Sequence, residues 1–234
     1  MESFLFHRKK MIPRLIHQTA PKDPRLWPAA WSVCQRTVRG VFPDFQYRLW
    51  TDEDLERMVR ESFPWFFPIY QRYPRAIYRA DAGRYMILYL YGGIYIDMDM
   101  EVLRSFYDRL ATDRPSIVES PFPNVETHQN SLMASPPRHP FWLEVLRDMA
   151  SMASVFHDHV LDATGPRMLD RVIETYPDQI HPLPYLEFNP PPIGSVYDAR
   201  DWRSHREVYT RHHCTASWRD RHETSSPIVS AHRW

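Results

Sequence analysis

The sequence predicts an α/β fold in a single domain over residues 1–234, and three observations carry the prediction. Strand-like and helix-like patterns alternate from residue 12 onward in the order β, α, β, α. The most strongly periodic helix, residues 75–91, stops at Gly92 and Gly93 and runs straight into an apolar strand. At 234 residues the chain suits one sizeable core better than two small ones.

Residues 12–18 open the pattern as a short apolar run with polar residues at its end, and the prolines at 21 and 24 stop it. Residues 27–39 read as a helix, and residues 45–50 alternate as a strand does. Thr51 and Asp54 resemble a capping box, with Asp in place of the usual Glu, opening a helix to about Glu61. Residues 63–73, broken by prolines, read as loop or short helices. In the 75–91 helix, Ile77, Ala80, Arg84, Ile87, Leu88 and Tyr91 recur at spacings of three and four. Beyond Asp108, residues 116–119 and 131–134 read as strands or short buried segments. Residues 140–152 and 167–176 read as helices, separated by the turn at Thr164, Gly165 and Pro166. Residues 182–192, rich in proline, read as a surface loop. There is no internal repeat and no linker.

Composition narrows the function classes. Basic and acidic residues balance at 29 each, so charge gives no support to a nucleic-acid or anionic-membrane partner. Cys34 and Cys214 are too few for a disulfide scaffold and read as reduced thiols. No stretch approaches the roughly 18 apolar residues of a membrane span. Residues 1–10 lack the order of a secretory signal. The expectation is a cytoplasmic protein, with peripheral membrane contact through residues 4–10 as the lesser reading.

Asp97 and Asp99 are the most chemically informative residues. Read as the end of the strand through Ile94, Tyr95 and Ile96, they project to one side while Met98 turns away, because side chains alternate along a strand. Hard cations such as Mg²⁺ and Mn²⁺ take one or two carboxylates and complete their shell with phosphate and water. A diphosphate would therefore complete this partial site. An isolated Asp-x-Asp is common on solvated turns. Here the charges interrupt a segment whose neighbours favour burial, and buried carboxylates need a partner or a metal.

Other segments carry less chemistry. Asp81 and Arg84 are i,i+3 neighbours on the long helix, which by itself suits a salt bridge of about 0.2–0.5 kcal/mol. Their helix nevertheless leads into the Asp-x-Asp segment, within reach of the same ligand. His212, His213 and Cys214 lack the second cluster of a structural zinc site. His157, Asp158 and His159 fit a surface helix better than a metal site. The chain has no nucleophile elbow, Walker loop or dinucleotide fingerprint.

Together, residues 12–18, 79–85, 91–99, 130–141, 164–166 and 212–218 resemble glycosyltransferase family 32, named for its Asp-x-Asp sugar-binding region. That family contains fungal initiating α-1,6-mannosyltransferases, inositolphosphoceramide mannosyltransferases and α-1,4-galactosyltransferases, and its core is related to clostridial glucosylating toxins. The resemblance implies a GT-A fold, with a Rossmann-like mixed sheet flanked by helices. It also implies a retaining, Mn²⁺- or Mg²⁺-dependent hexosyltransferase that uses a GDP- or UDP-sugar donor and a glycan or glycolipid acceptor. Asp97, Asp99 and either His212 or His213 would hold the metal. Asp81 and Arg84 would hold the donor sugar and diphosphate, making these two and the Asp-x-Asp pair the catalytic set. His17, Gln18, Tyr78, Gly93, Asn130 and Trp218 would complete the donor site, with Thr164 and Gly165 on the acceptor side. The competing functional readings are a metal-dependent phosphohydrolase on the same carboxylates and a non-catalytic sugar-binding module.

Overall fold

The computed structural model describes residues 11–155, 158–191 and 207–215. Its main sheet has six strands in the order β2-β1-β3-β6-β5-β7. Strand β1 (Leu15–Thr19) pairs in parallel with both β2 (Gln46–Trp50) and β3 (Gly93–Ile96). The chain therefore steps outward from β1 to β2, then returns past β1 to β3. This reversal makes a topological switch point, where α/β folds open a crevice beyond the carboxyl ends of the strands. Strand β6 (His128–Ser135) continues the sheet antiparallel to β3, followed by β5 (Ser116–Glu119) and β7 (His181–Leu183).

Helices cover both faces. Helix α1 (Ala29–Val41) packs Val38 on one face, against Ile16, Ile94, Ile96 and Phe42. The other face receives α2 (Asp52–Ser62), α3 (Phe67–Arg72), α4 (Ala76–Tyr91), α5 (Phe141–Met152) and α7 (Pro166–Thr175). Period-2 alternation is visible on β3, where Tyr95 joins this second core and its neighbours Ile94 and Ile96 join the first. The capping box of α2 forms as expected: Asp54 N donates to Thr51 Oγ1, and Thr51 N donates back to Asp54 Oδ2, each at 3.2 Å.

Helix α4 ends at Gly92 (φ 62°), and Gly93 (φ 91°) starts β3. A Cβ on Gly93 would lie 2.4 Å from the Leu15 carbonyl oxygen, so this glycine permits the close approach of β1 to β3. Gly93, expected in the donor site, thus has a packing role between β1 and β3.

Three expectations about local structure need correction. The strand does not continue through Asp99. Asp97 N makes the last ladder bond, to Ser131 O at 2.8 Å, and Met100 N then donates to Asp97 O at 3.1 Å, closing a turn. That turn leads into β4 (Met100–Val102), which pairs antiparallel with β8 (Thr210–His212) in a separate two-stranded sheet. Residues 182–192 are not a plain loop either. They supply part of β7 and, after it, α8 (Tyr185–Phe188), which buries Phe188 in the core. Strand β6 extends beyond the four residues expected of it because polar His128, Gln129 and Asn130 also join the ladder or its edge. Between α5 and α7 the short helix α6 (Val160–Ala163) leads to the expected turn at Thr164.

Candidate metal and donor site

The acidic turn after β3 lies at the switch-point crevice, and β4–β8 pairing brings the distant C-terminal segment onto it. Asp97, Asp99 and His212 each offer a ligand atom, and these atoms all lie within 4.8 Å of one another. Same-side projection along a strand was the expected cause of the carboxylate pairing. The turn produces it instead, with help from a strand 110 residues further on.

Each carboxylate is held differently. Asp97, with 23% of its side chain exposed, accepts from Tyr95 Oη at 2.8 Å and pairs with Arg84 Nη1 at 3.2 Å. Burial raises its pKa, the neighbouring Asp99 adds to that, and Arg84 opposes it. Asp99 accepts from Thr215 N at 2.8 Å, Thr215 Oγ1 at 2.9 Å and, through its other oxygen, lies 3.1 Å from His212 Nε2. Burial works against ionisation of Asp99, but His212 and the Thr215 bonds outweigh it and hold the carboxyl well below its usual range. Burial likewise works against a charged His212. The Cys214 thiol beside it and the Asp99 carboxylate nonetheless raise it well above 6.5. The two carboxylates are thus driven apart, with Asp99 the more firmly ionised.

The residues fit a divalent cation. Two carboxylates and an imidazole are a donor set suited to Mn²⁺, and the carboxylates alone suit Mg²⁺. The His212 ring is largely buried at this cluster, with the Cys214 side chain against it. His213 does not join: its Nε2 lies 3.0 Å from Glu101 Oε2, while its backbone N donates to Asp99 O. Of the two histidines expected as alternatives, the geometry selects His212.

Behind the carboxylates lies a buried network. The Arg84 side chain is 5% exposed, pairs with Asp81 Oδ1 at 3.0 Å, and donates to Asn130 O at 2.8 Å while holding Asp97. Its guanidinium also covers the Tyr95 ring at 4.8 Å. Asn130 Nδ2 and Thr164 Oγ1 both donate to Asp81, and Tyr85 Oη donates to Thr164 O. Burial pushes the Asp81 carboxyl up to about 6, with Arg84 opposing.

Several expected ligand contacts become supporting contacts in this arrangement. Arg84 and Asp81, expected to hold the donor sugar and diphosphate, face each other and the Asp-x-Asp turn. Thr164 is fully buried, so it does not face an acceptor. Gly165 lies against the α6 backbone, where a Cβ would be 2.9 Å from Leu161 Cα. Tyr78 is a core residue stacked on Tyr73 at 5.6 Å, which corrects its assignment to the donor site. His17 is buried with both ring nitrogens engaged: Trp50 Nε1 donates to Nδ1 at 3.1 Å, leaving Nε2–H for Gly92 O at 3.0 Å. Gln18 Nε2 braces Asp97 O at 3.2 Å while its Oε1 accepts from Tyr47 Oη. Trp218, His157 and residues 4–10 lie outside the described residues.

Sequence reading missed Tyr95, Thr215 and Trp31. Tyr95 carried a signal, since it stands two residues before Asp97 on the strand and its hydroxyl also meets Thr19 Oγ1 at 2.8 Å. Thr215 sat inside a segment already singled out. Trp31, whose Nε1 donates to Thr215 Oγ1 at 3.2 Å, carried none.

A mixed sheet with its acidic turn at the switch point defines the GT-A class of glycosyltransferase folds. Residues 28–119 match the family described as "Glycosyltransferase sugar-binding region containing DXD motif", and the chain belongs to that family. Inositol phosphoceramide mannosyltransferase 3 of Schizosaccharomyces pombe is 37% identical over 161 residues, which cover 68% of this chain and 44% of that protein. The chain spans about half the length of the curated relatives it matches. Among solved structures, PaToxG glycosyltransferase superposes with a TM-score of 0.57 at 16% identity, over 71% of this chain and 70% of that one. Galactosyltransferase LgtC, solved with donor and acceptor sugar analogues, gives 0.52 at 12% identity over 93% and 91%. At those identities the structural likeness concerns the fold alone.

Proposed function

We propose that this chain transfers a hexose, with mannose the favoured unit, from a nucleotide diphosphate sugar to a hydroxyl of a glycan or glycolipid, with retention of anomeric configuration and in dependence on a divalent metal. The observation that carries the proposal is the convergence of Asp97, Asp99 and His212 at the switch-point crevice. Family membership supports sugar transfer, and the mannosyltransferase names of the most similar relatives favour mannose, with a UDP-hexose as the other donor.

When bound, Mn²⁺ or Mg²⁺ would supply Lewis-acid stabilisation of charge on the departing diphosphate. Asp99, Asp97 and His212 would hold it. Asp99 enters the site already ionised, fixed by Thr215 and His212. Tyr95 and Arg84 set the direction of the Asp97 carboxylate, and Gln18 fixes its backbone. Preorganisation of this kind removes reorganisation cost from the reaction itself. The departing diphosphate, in this reading, takes the proton from the acceptor hydroxyl. Trp218 is assigned to exclude water that would hydrolyse the donor.

The test is nucleoside diphosphate release from GDP-mannose and a panel of UDP-hexoses, with Mn²⁺ or with EDTA. Release is expected from at least one donor with an acceptor present, and it should fall by about 100-fold or more with EDTA or in an Asp97→Ala/Asp99→Ala variant. A folded double variant that transfers sugar at the normal rate would show the site to be misassigned.

A further inference from the structure

Helix α1 reaches the metal site through the indole of Trp31. Its Nε1–H donates to Thr215 Oγ1 at 3.2 Å, across 184 positions of sequence. Thr215 in turn gives Asp99 Oδ2 two hydrogen bonds, from its backbone N at 2.8 Å and from its hydroxyl at 2.9 Å.

The chemistry of the three groups leaves this series one arrangement. An indole N–H only donates, an ionised carboxylate only accepts, and a threonine hydroxyl carries a single hydrogen. With Trp31 occupying a lone pair of Thr215 Oγ1, the hydroxyl hydrogen is directed at Asp99. Without the indole, that hydroxyl would be set only by Asp99 itself and by solvent. The two oxygens of Asp99 have different partners, which makes the direction matter. Oδ2 takes both Thr215 bonds, and Oδ1 is the oxygen 3.1 Å from His212 Nε2. Pinning Oδ2 therefore holds Oδ1 toward the imidazole.

Trp31 is itself firmly placed. It lies in the first turn of α1, where its backbone N donates to Pro28 O at 2.9 Å. Six residues further on, Thr37 Oγ1 accepts from Val102 N at 2.9 Å and ties the same helix to β4. The indole thus acts from a helix fixed to the two-stranded sheet that brings His212 to Asp99. Hydrogen bonds to a ligand's own partners govern metal affinity, because a side chain oriented before the ion arrives needs no reorganisation on binding.

From this we infer that Trp31 is a positioning residue of the metal site, acting through the Thr215 hydroxyl to orient the Asp99 carboxylate. The inference rests on the metal-dependent reading proposed above and adds to it a residue from an element that supplies no ligand.

The test is a double-mutant cycle on the full chain, with free Mn²⁺ followed by its electron paramagnetic resonance signal and stability by urea unfolding. Trp31 and Thr215 are only partly buried and lie outside the two cores, so the variants keep the fold. Thr215→Val retains the backbone bond to Asp99 and removes the hydroxyl, and it should weaken Mn²⁺ binding by about 10-fold. Trp31→Phe retains an aromatic ring and removes the N–H, and it should weaken binding by about 5-fold, the loss of one neutral hydrogen bond. The double variant should bind no more weakly than Thr215→Val alone, since an indole that acts through a hydroxyl has nothing to act on once the hydroxyl is gone. Trp27→Phe, whose indole donates to Pro21 O instead, should leave the affinity within about twofold. A tryptophan with a merely structural role would lower urea stability with Mn²⁺ affinity unchanged, or would add its full loss to that of Thr215→Val. Either result overturns the inference, as does an equal loss of affinity in Trp27→Phe. An unaltered chain that binds no Mn²⁺ overturns the metal site and this inference with it, whereas Mn²⁺ binding insensitive to Trp31→Phe overturns this inference alone.

Discussion

At the level of single residues, burial decides what each polar side chain does. His17 shows this most clearly. Burial first, and Arg48 in a smaller way, lower its pKa to about 4, against the backbone bond to Gly92. Between about pH 4 and 6.5 the unfolded chain binds a proton at His17 that the folded chain does not, so this residue's contribution to stability is lost as pH falls through that window. At full extent it amounts to about 3 kcal/mol. Asp81 acts in the opposite sense, because its folded carboxyl keeps a proton up to about pH 6 that the unfolded one releases near 3.8. The measurement is therefore a difference: urea unfolding of the chain and of a His17→Gln variant, each at about pH 4.5 and about pH 7. The variant should lose less stability on acidification than the unaltered chain. Equal losses would mean that His17 is not held neutral.

The elements around the site depend on close backbone approach more than on side-chain ligands. Gly92 and Gly93 were read as the stop of a helix, which they are, but Gly93 also lets β1 and β3 meet at the switch point. Gly93→Ala would press a Cβ onto the Leu15 carbonyl at a positive φ, so a loss of about 1–3 kcal/mol or more is expected. Because β3 carries the acidic turn, metal affinity should weaken along with stability. Urea unfolding and a Mn²⁺ titration check both, and a variant with unchanged stability would show that the backbones can separate at no cost. Element by element, the sequence foresaw α1, α2, α4, α5 and α7 within about two residues, because periodicity and caps are local signals. It misread residues 182–192. Proline density suggested a loop, whereas pairing with β5 at the sheet edge makes part of that segment a strand, and edge strands tolerate proline.

For the molecule as a whole, the site is complete only when the C-terminal segment folds back. Strand β8 buries Thr210, and Thr210 Oγ1 bonds to Phe188 O while His212 and Thr215 reach Asp99. A chain ending at residue 206 should keep the six-stranded sheet, seen as cooperative unfolding with preserved far-ultraviolet circular dichroism. It should lose the thermal stabilisation that Mn²⁺ gives the full chain, about 2.7 kcal/mol at a metal concentration 100-fold above Kd. A truncated chain stabilised by Mn²⁺ to the same degree would remove His212 from the metal site. Among the described residues no helix is long and apolar enough to cross a membrane.

The same division separates what the amino-acid order fixed from what folding added. Residue order made Asp97 and Asp99 neighbours, capped α2 at Thr51, ended α4 at two glycines and marked the chain as α/β, all through interactions spanning a few residues. It did not show that Asp-x-Asp would fold as a turn or that His212, not His213, would meet it. Nor did it show that Arg84, Asp81, Asn130 and Thr164 would form a buried support behind the carboxylates. Those outcomes depend on pairings between segments as far apart as residues 99 and 212, and on burial, which sets charge and hydrogen bonding only once the strands and helices have packed.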